Sequence, residues 1–470
     1  MASPRTEHDP TLGTLLGYAL SAAPTSFSFL LFMVMYLKYA TETLAASPAA
    51  VGAVFLIAKA LNAVGDPMIG NWSDRTQTRM GRRRPWLLVG GPLAALFGYM
   101  AWAPPEALAD GALLGWIAVS IVGFYLAYSL FEVPHMALGA EISLTAGGRN
   151  RLFAWRQVVR VLASLVAALV GSRLIEQGRE ATQSMSVVVS VLTVAFVYLG
   201  VSRLPAERHE FRGRGGENPL RAVRDVLANP HARLLLTVIF IDSIGTGGIA
   251  VLSPFVIDHV VGRKDLLQAL LGANFGATLL SVPLWLWLAR RFEKRRLMLW
   301  SMVASGLAFG SILLVGEGDW MLVAVSAVTS GMAVSCSNTL GYTLKSEIID
   351  CDEYRTGERK EGAYFAGWAF VQKLAAGLMI FVVGQALAWS GFDPVSERQS
   401  ALVRTTMVAL MGGAPLFCYL LGAIAFARFS LSEAEHARIR RELDARTAGQ
   451  RPAPSPSAAA GLVEGGSVAS

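Results

Sequence analysis

An all-α membrane protein of about twelve spanning helices, arranged as two six-helix bundles, is predicted by three features of this 470-residue sequence. Hydrophobic residues make up 53% of the chain and charged residues only 16%, against roughly 25% charged in a soluble domain. The apolar residues collect in runs long enough to cross about 30 Å of hydrocarbon at ~20 residues per helix. A polar, arginine-bearing stretch separates six of these runs from the other six.

The runs lie near 14–38, 49–72, 86–103, 111–140, 152–173, 183–203, 232–257, 266–289, 297–316, 320–345, 362–390 and 403–427. The third and fourth are the least clearly divided. From this follow a cytoplasmic N-terminus over 1–13, an N-terminal bundle over 14–203 and a central loop over 204–230. A C-terminal bundle over 231–428 and a cytoplasmic, largely disordered tail over 429–470 complete the chain. The tail becomes charged after Ala434 and then rich in Ala, Pro, Ser and Gly, a composition that buries too little apolar surface to order itself.

The formal charge of +7 does not indicate nucleic acid, because the basic residues fall in short clusters between apolar runs. Such clusters mark the cytoplasmic side of a membrane protein. Arg75, Arg79, Arg82, Arg83 and Arg84 follow the second run, and Arg290, Arg291, Lys294, Arg295 and Arg296 follow the eighth. Segments such as Pro104 to Asp110 and Gly316 to Trp320 carry acidic residues without Lys or Arg and face outside. Both termini are therefore expected in the cytoplasm and the chain in the cytoplasmic (inner) membrane. The recurrence of a basic loop after the second run of each half suggests parallel repeats. Cys336, Cys351 and Cys418 lack metal or disulfide spacing and read as packing thiols. Residues 1–10 lack the pattern of a cleaved signal peptide. Nothing demands more than a monomer, and no cofactor or structural metal is implied.

Ionisable residues inside the runs carry the functional reading. A central Lys or Asp costs about 2.5–3.5 kcal/mol on insertion scales, so such groups face cavities and pair with one another. Lys59, Asn62 and Asp66 lie along one face of the second run, and Asp66 precedes Pro67, which frees a carbonyl one turn back. A Lys59–Asp66 bridge of purely structural purpose is the plain alternative. Glu132 precedes Pro134 in the fourth run, and Arg156 and Arg160 share a face of the fifth. They serve either as an interhelical salt bridge or as substrate contacts. His135 reads as a packing residue. Asp242, beyond Arg233 in the seventh run, stands open between the two roles, whereas Asn274 and Asn338 read as interhelical hydrogen-bonding groups. Gln372 and Lys373 sit deep in the eleventh run, and Lys373 needs a carboxylate partner, either Asp66 or Glu132.

Three motifs carry a resemblance: LNAVGDP (Leu61 to Pro67), GNWSDRTQTRMGRRRPW (Gly70 to Trp86) and KSEIIDCDEYRTGERKEG (Lys345 to Gly362). In order and over almost the whole chain, they resemble the signatures of the glycoside-pentoside-hexuronide:cation symporters of the major facilitator superfamily. The resemblance implies the major facilitator fold and cation-coupled transport of a sugar, glycoside or hexuronide, with no enzymatic activity. It places a cation site at Asp66, with Asn62 and Ser129 as further ligands and H+ or a transported Na+ as the coupling ion. Asn62 stands where family members have a second carboxylate, which tilts the reading toward a proton. Substrate contacts are implied at Glu132 and Arg156, and Lys373 matches a lysine near the cation site. Ser26 replaces an acidic sugar-binding residue. With Arg160 and Gln372 added, the cavity is less negative and suits an anionic sugar. A conformational latch is expected from Asp74, Arg75, Gly81, Arg82 and Arg83, with Glu347, Asp350, Asp352 and Glu353 as the partner surface. Lysolipid transporters look like members of the same superfamily and keep a deep lysine, so an amphiphile carrier is the alternative within transport. A non-transporting sensor or scaffold is the alternative outside it, although it has no need of titratable groups in several helices.

Overall fold

The computed structural model describes residues 10–143, 146–205, 226, 228–357, 361–396, 398–431 and 433–447. Most of the expected central loop, and the tail beyond 447, lie outside the described residues. Among the described residues, twelve helices are long and apolar enough to cross a membrane. The first half comprises α1 (Leu12–Val34), α2 (Pro48–Arg75), α3 (Arg84–Trp102), α4 (Asp110–Ile142), α5 (Arg151–Glu176) and α6 (Arg179–Ser202). The second comprises α7 (Pro230–Val261), α8 (Lys264–Leu288), α9 (Lys294–Leu314), α10 (Trp320–Thr356), α11 (Tyr364–Ser390) and α12 (Ala401–Phe426). An even number of crossings returns the chain to the face it started from, here termed the terminal face; the opposite one is the far face.

Local chemistry explains where the helices break. Pro104 and Pro105 fall in the segment that divides α3 from α4, since proline supplies no backbone N–H to continue a helix. In α1 the helical ladder pauses at Ala22, ahead of Pro24. The hydroxyls of Thr25 and Ser26 donate to the Ala22 carbonyl at 3.0 and 2.7 Å, which also accepts the Ser26 backbone N–H at 3.1 Å. Beyond Val34, α1 continues through Tyr36–Lys38 and a wide π-type turn, Tyr39–Thr43. Pro67 sits inside α2, which remains helical through it.

Two boundaries differ from the sequence reading. α10 continues to Thr356 rather than ending near 345, so Glu347, Asp350, Asp352 and Glu353 sit on a helical extension at the terminal face. The tail, expected to be largely disordered from 429, contributes a further helix, α13 (Glu433–Thr447). It is charged but not featureless. Ile439 and Leu443 are buried, His436 and Arg440 meet Asp350 at 3.1 and 3.5 Å, and Tyr354 donates to Glu442 at 2.9 Å. The α10 extension supplies a surface that composition alone could not reveal.

The two halves share an internal motif. In α2 the Asn62 amide donates to the Tyr125 carbonyl and to Ser129 Oγ on α4, both at 2.6 Å. In α8 the Asn274 amide donates to the Ala327 carbonyl at 2.8 Å and to Ser330 Oγ at 3.3 Å on α10. The same clamp thus joins the second and fourth helices of each half, and Asn274 takes the interhelical role expected of it. One turn on, the first half carries Asp66 and the second carries Thr278, whose hydroxyl donates to backbone carbonyls. Chemistry distinguishes the halves at a position where architecture does not.

Candidate functional site

α2 and α11 pack along one another, backbone to backbone where both carry glycine. A Cβ added at Gly377 meets the Lys59 stem at 2.7 Å, and one at Gly384 meets the Pro48 carbonyl at 2.3 Å. Small residues permit such an approach inside a membrane bundle. The approach brings Lys373 of α11 onto Asp66 of α2 as an ion pair between the two halves. Of the two partners open to Lys373 in the sequence, the structure selects Asp66. The other Asp66 oxygen accepts from Ser129 Oγ at 2.5 Å, and Ser129 accepts from Asn62. The expected cation ligands Asp66, Asn62 and Ser129 are therefore one connected chain ending on the lysine. The Asp66 and Lys373 side chains remain 20% and 26% exposed, so the pair is reachable from a cavity.

Lys59 does not bridge to Asp66. Its ammonium lies 4.1 Å from the Tyr125 ring centroid and 4.8 Å from that of Phe29, and 3.4 Å from the Met33 sulfur. A desolvated cation–π contact contributes about 2 kcal/mol. This cage, missed in the sequence, holds a buried cation without consuming the carboxylate.

A second ion pair joins α4 to α5, where Arg156 Nη2 donates to Glu132. Arg156 Nε donates to His135 Nδ1 at 3.3 Å, which leaves the His135 proton on Nε2. That nitrogen lies 3.0 Å from both the Tyr18 carbonyl and Ser21 Oγ. The imidazole stacks on Tyr18, with centroids 4.2 Å apart and planes 3° from parallel, and on Phe131 at 5.0 Å. His135 is thus a packing residue, as its sequence context suggested, and also the group that orients Arg156. The Glu132 side chain is 23% exposed while that of Arg156 is 7% exposed, so the carboxylate faces open space and the guanidinium is locked behind it. Arg160 is exposed and acts electrostatically on Glu132, and Tyr128 lies within the fields of Asp66, Glu132, Arg156 and Arg160. Tyr128, another residue missed in the sequence, lies near enough to both pairs to feel the charges of each.

Two expected contacts lie elsewhere. Ser26 is buried and spends its proton on the Ala22 carbonyl, leaving only lone pairs for a ligand. Gln372 lines a separate 120 Å³ cavity with Asp242, Asn338 and Lys345. Successive helical residues point about 100° apart, which takes Gln372 away from the face that Lys373 presents to Asp66.

Toward the far face, a 240 Å³ cavity is walled by α1 and α7 through α10, with Met411 of α12. Its polar side chains bond to backbone: Ser253 to Ala250, Ser326 to Ala308 and Asn274 to Ala327. What remains toward the cavity is largely apolar, including Leu30, Ile249 and Phe275. Above it the halves are tied. Lys38 at the end of α1 pairs with Asp258 of α7, and His259 lies 2.8 Å from Glu42. Gln268 of α8 reaches Glu176 of α5 at 3.4 Å. With the Gly384 contact, these close the far face. Glu42, Asp258 and His259 also offer ligand atoms within 4.8 Å of one another, but Lys38 already occupies the carboxylates.

The latch residues fall into two clusters in this conformation. Arg83 Nη2 reaches Asp74 at 2.6 Å and Glu141 at 2.7 Å, and Arg82 reaches Glu141 at 2.7 Å, all within the first half. Gly81 has φ +97°, a left-handed turn that favours glycine, while Arg75 is exposed. In the second half Glu347 meets Lys294 at 2.5 Å, and Asp350 meets His436 and Arg440 of α13. Glu141 is an acidic partner that the sequence reading missed, and α13 holds a carboxylate expected to face the basic loop.

The closure yields a prediction. Gly384→Leu should drive α11 away from the Pro48 carbonyl and open the far face. Labelling of a cysteine introduced by Ile249→Cys, on the wall of the apolar cavity, by an impermeant maleimide added from that face should rise several-fold. Unchanged labelling would show that the glycine contact does not hold the closure.

Twelve helices in two matched halves, with ion pairs inside and between them, define a transporter of the major facilitator superfamily. The model of the MFS/sugar transport protein family matches residues 17–433, and the chain belongs to that family. The motif resemblance to glycoside-pentoside-hexuronide:cation symporters is thereby borne out, and no enzyme is indicated. Among relatives, the putative glycoside/cation symporter YagG of Escherichia coli (strain K12) is 24% identical over 442 residues, spanning 92% of this chain and 95% of that protein. Sodium-dependent lysophosphatidylcholine symporter 1 of Mus musculus is 23% identical over 491 residues, spanning 94% and 90%. The crystal structure of a D-xylose-proton symporter superposes with a TM-score of 0.65 at 14% identity, covering 89% of this chain and 98% of that one; this likeness concerns the fold alone.

Proposed function

We propose that the chain is a cation-coupled symporter of a sugar, glycoside or hexuronide, working by alternating access in the cytoplasmic membrane with both termini inside. The observation that carries this reading is the Asp66–Lys373 ion pair between the two halves, with Ser129 and Asn62 behind it. H+ or Na+ arriving at Asp66 neutralises the carboxylate and releases Lys373 toward the hollow, where Glu132, Arg156 and Arg160 receive the substrate. With basic loops inside, the terminal face is cytoplasmic, and closure of the far face makes this conformation inward-facing. Each ligand raises the affinity of the other by the same factor, as linkage requires. Lys59, Arg156, Arg160 and Lys373 outnumber Asp66 and Glu132 around the hollow, which favours an acidic sugar over a neutral one.

The apolar cavity favours a second reading, an amphiphile whose charged head meets the ion pairs and whose apolar part enters the second half. The relative that transports lysophosphatidylcholine by name is similar to this chain along most of its length. The 240 Å³ of the apolar cavity leave room for a short apolar group.

The test is uptake by proteoliposomes of neutral sugars, uronates and a short-chain lysolipid under imposed proton or sodium gradients. Gradient-driven accumulation of a uronate is the expected result. Accumulation of the lysolipid alone would establish the second reading, competition by neutral glycosides but not uronates would remove the acidic-sugar preference, and indifference to both gradients would end the symport reading.

A further inference from the structure

Asp242 differs from the other carboxylates held deep in the bundle. Asp66 is paired with Lys373 and Glu132 with Arg156, whereas among the described residues Asp242 has no ion-pair partner, and its Oδ1 is buried without a hydrogen bond. It lies twelve residues into α7 from Pro230, about 18 Å along a helix rising 1.5 Å per residue, and therefore well inside the membrane. A charged carboxylate at that depth costs about 2.5–3.5 kcal/mol on insertion scales unless water or a cation compensates it.

The surroundings supply an exit for a proton. The 120 Å³ cavity that Asp242 lines is well above the ~10–15 Å³ that one water needs. The polar groups on its wall are Ser337 and Asn338 of α10 and Gln372 of α11, while α9 presents Met298 and Met302. The titratable groups facing Asp242 are Tyr419 of α12, which shares a hydrogen bond with its carboxyl, Cys418 of α12, and Lys345 of α10 on the same cavity wall. The Lys345 ammonium stacks over Trp368 at 5.3 Å.

We infer that Asp242 is a second proton-binding site, separate from Asp66, whose carboxyl exchanges its proton with water in the cavity between α7, α9, α10 and α11. The step is a simple transfer: the carboxyl O–H bond breaks as a cavity water accepts the proton, and the reverse restores the acid; no electrons move and no other bond changes. A site on α7, the helix that also bears Asp258 and His259 of the far-face closure, carries protonation to the element that must move when that closure opens. Its part in turnover rests on the symport reading; the protonation itself does not.

The test needs no substrate. Infrared spectra of the purified protein in lipid vesicles, titrated from acid to alkaline medium, should show the carbonyl stretch of a protonated carboxyl that persists to higher pH than those of the exposed aspartates and glutamates and is lost in alkali. The band should survive Asp66→Asn and be missing from Asp242→Asn. If that variant fails to fold, Asp242→Glu should keep the band at a displaced frequency. A wild-type spectrum in which no carboxyl band outlasts those of the exposed acids as the pH rises, a band that stays in Asp242→Asn or is undisplaced in Asp242→Glu, or one that alkali does not remove would overturn the inference. A protein that shows the titrating band yet accumulates nothing under any gradient would retain the proton site and lose the symport reading.

Discussion

Asp66→Asn is expected to abolish accumulation of substrate against its gradient while leaving exchange of substrate across the membrane at equal concentrations. The asparagine cannot take up a proton or neutralise a sodium ion, so the link between cation and substrate disappears, and with it a coupling factor typically of about 5- to 150-fold. It still accepts from Ser129, as Asp66 does at 2.5 Å, and resembles the neutralised carboxyl in shape, so the halves can still rock with substrate bound. Lys373 is left without its ion-pair partner, which destabilises the variant by less than the ~3 kcal/mol at the lower end for breaking a buried pair, because both side chains are partly exposed. Lys373→Met in the same chain should restore the melting temperature without restoring accumulation. The measurements are uptake under an imposed gradient, counterflow at zero gradient, and thermal unfolding of the single and double variants. Accumulation that persists in Asp66→Asn removes the cation site from Asp66.

The architecture was legible because membrane spans are written in long apolar runs and loop charge, both local signals. The residues of the cation chain were legible for a related reason: Asn62 and Asp66 share a helical face with the pair spacing of one turn, and Lys373 is too deep to lack a partner. Which carboxylate Lys373 would take was not legible, since it depends on how near α11 comes to α2, set by Gly377 and Gly384. The aromatic cage around Lys59 escaped notice because Phe29, Met33 and Tyr125 come from two other helices and look like ordinary apolar residues. Ser26 and Gln372 show the opposite error. Each is polar and lies on a helix that borders the expected site, but the Ser26 hydroxyl turns back onto the Ala22 carbonyl of its own helix, and a one-residue step turns Gln372 away from the Asp66 pair. The order in α13 was hidden because it depends on an α10 extension more than eighty residues upstream, as in the contact of His436 with Asp350.

The Glu132–Arg156 pair is expected to separate its structural role from its transport role in a single experiment. Arg156 is fixed from both ends, by Glu132 and by the imidazole of His135, which is itself held by Tyr18 and Ser21. Glu132→Gln leaves the guanidinium without a carboxylate and should destabilise the protein by about 3 kcal/mol, at the lower end for a broken pair, because Glu132 is partly exposed and Arg160 lies nearby. Arg156→Lys should fare no better, since one ammonium cannot reach Glu132 and His135 in the two directions that a planar guanidinium serves. Replacing both partners, Glu132→Leu with Arg156→Met, removes both unpaired charges. Such apolar replacement of a buried pair is often neutral or stabilising, so the melting temperature of the double variant should return to near the wild-type value. Uptake should remain lost, because a substrate hydroxyl or carboxylate then meets hydrocarbon where it needs charged hydrogen-bonding groups. A double variant that both folds and transports would show that the pair only braces α4 against α5, and the substrate site would have to be sought around Lys373 and Tyr128 instead.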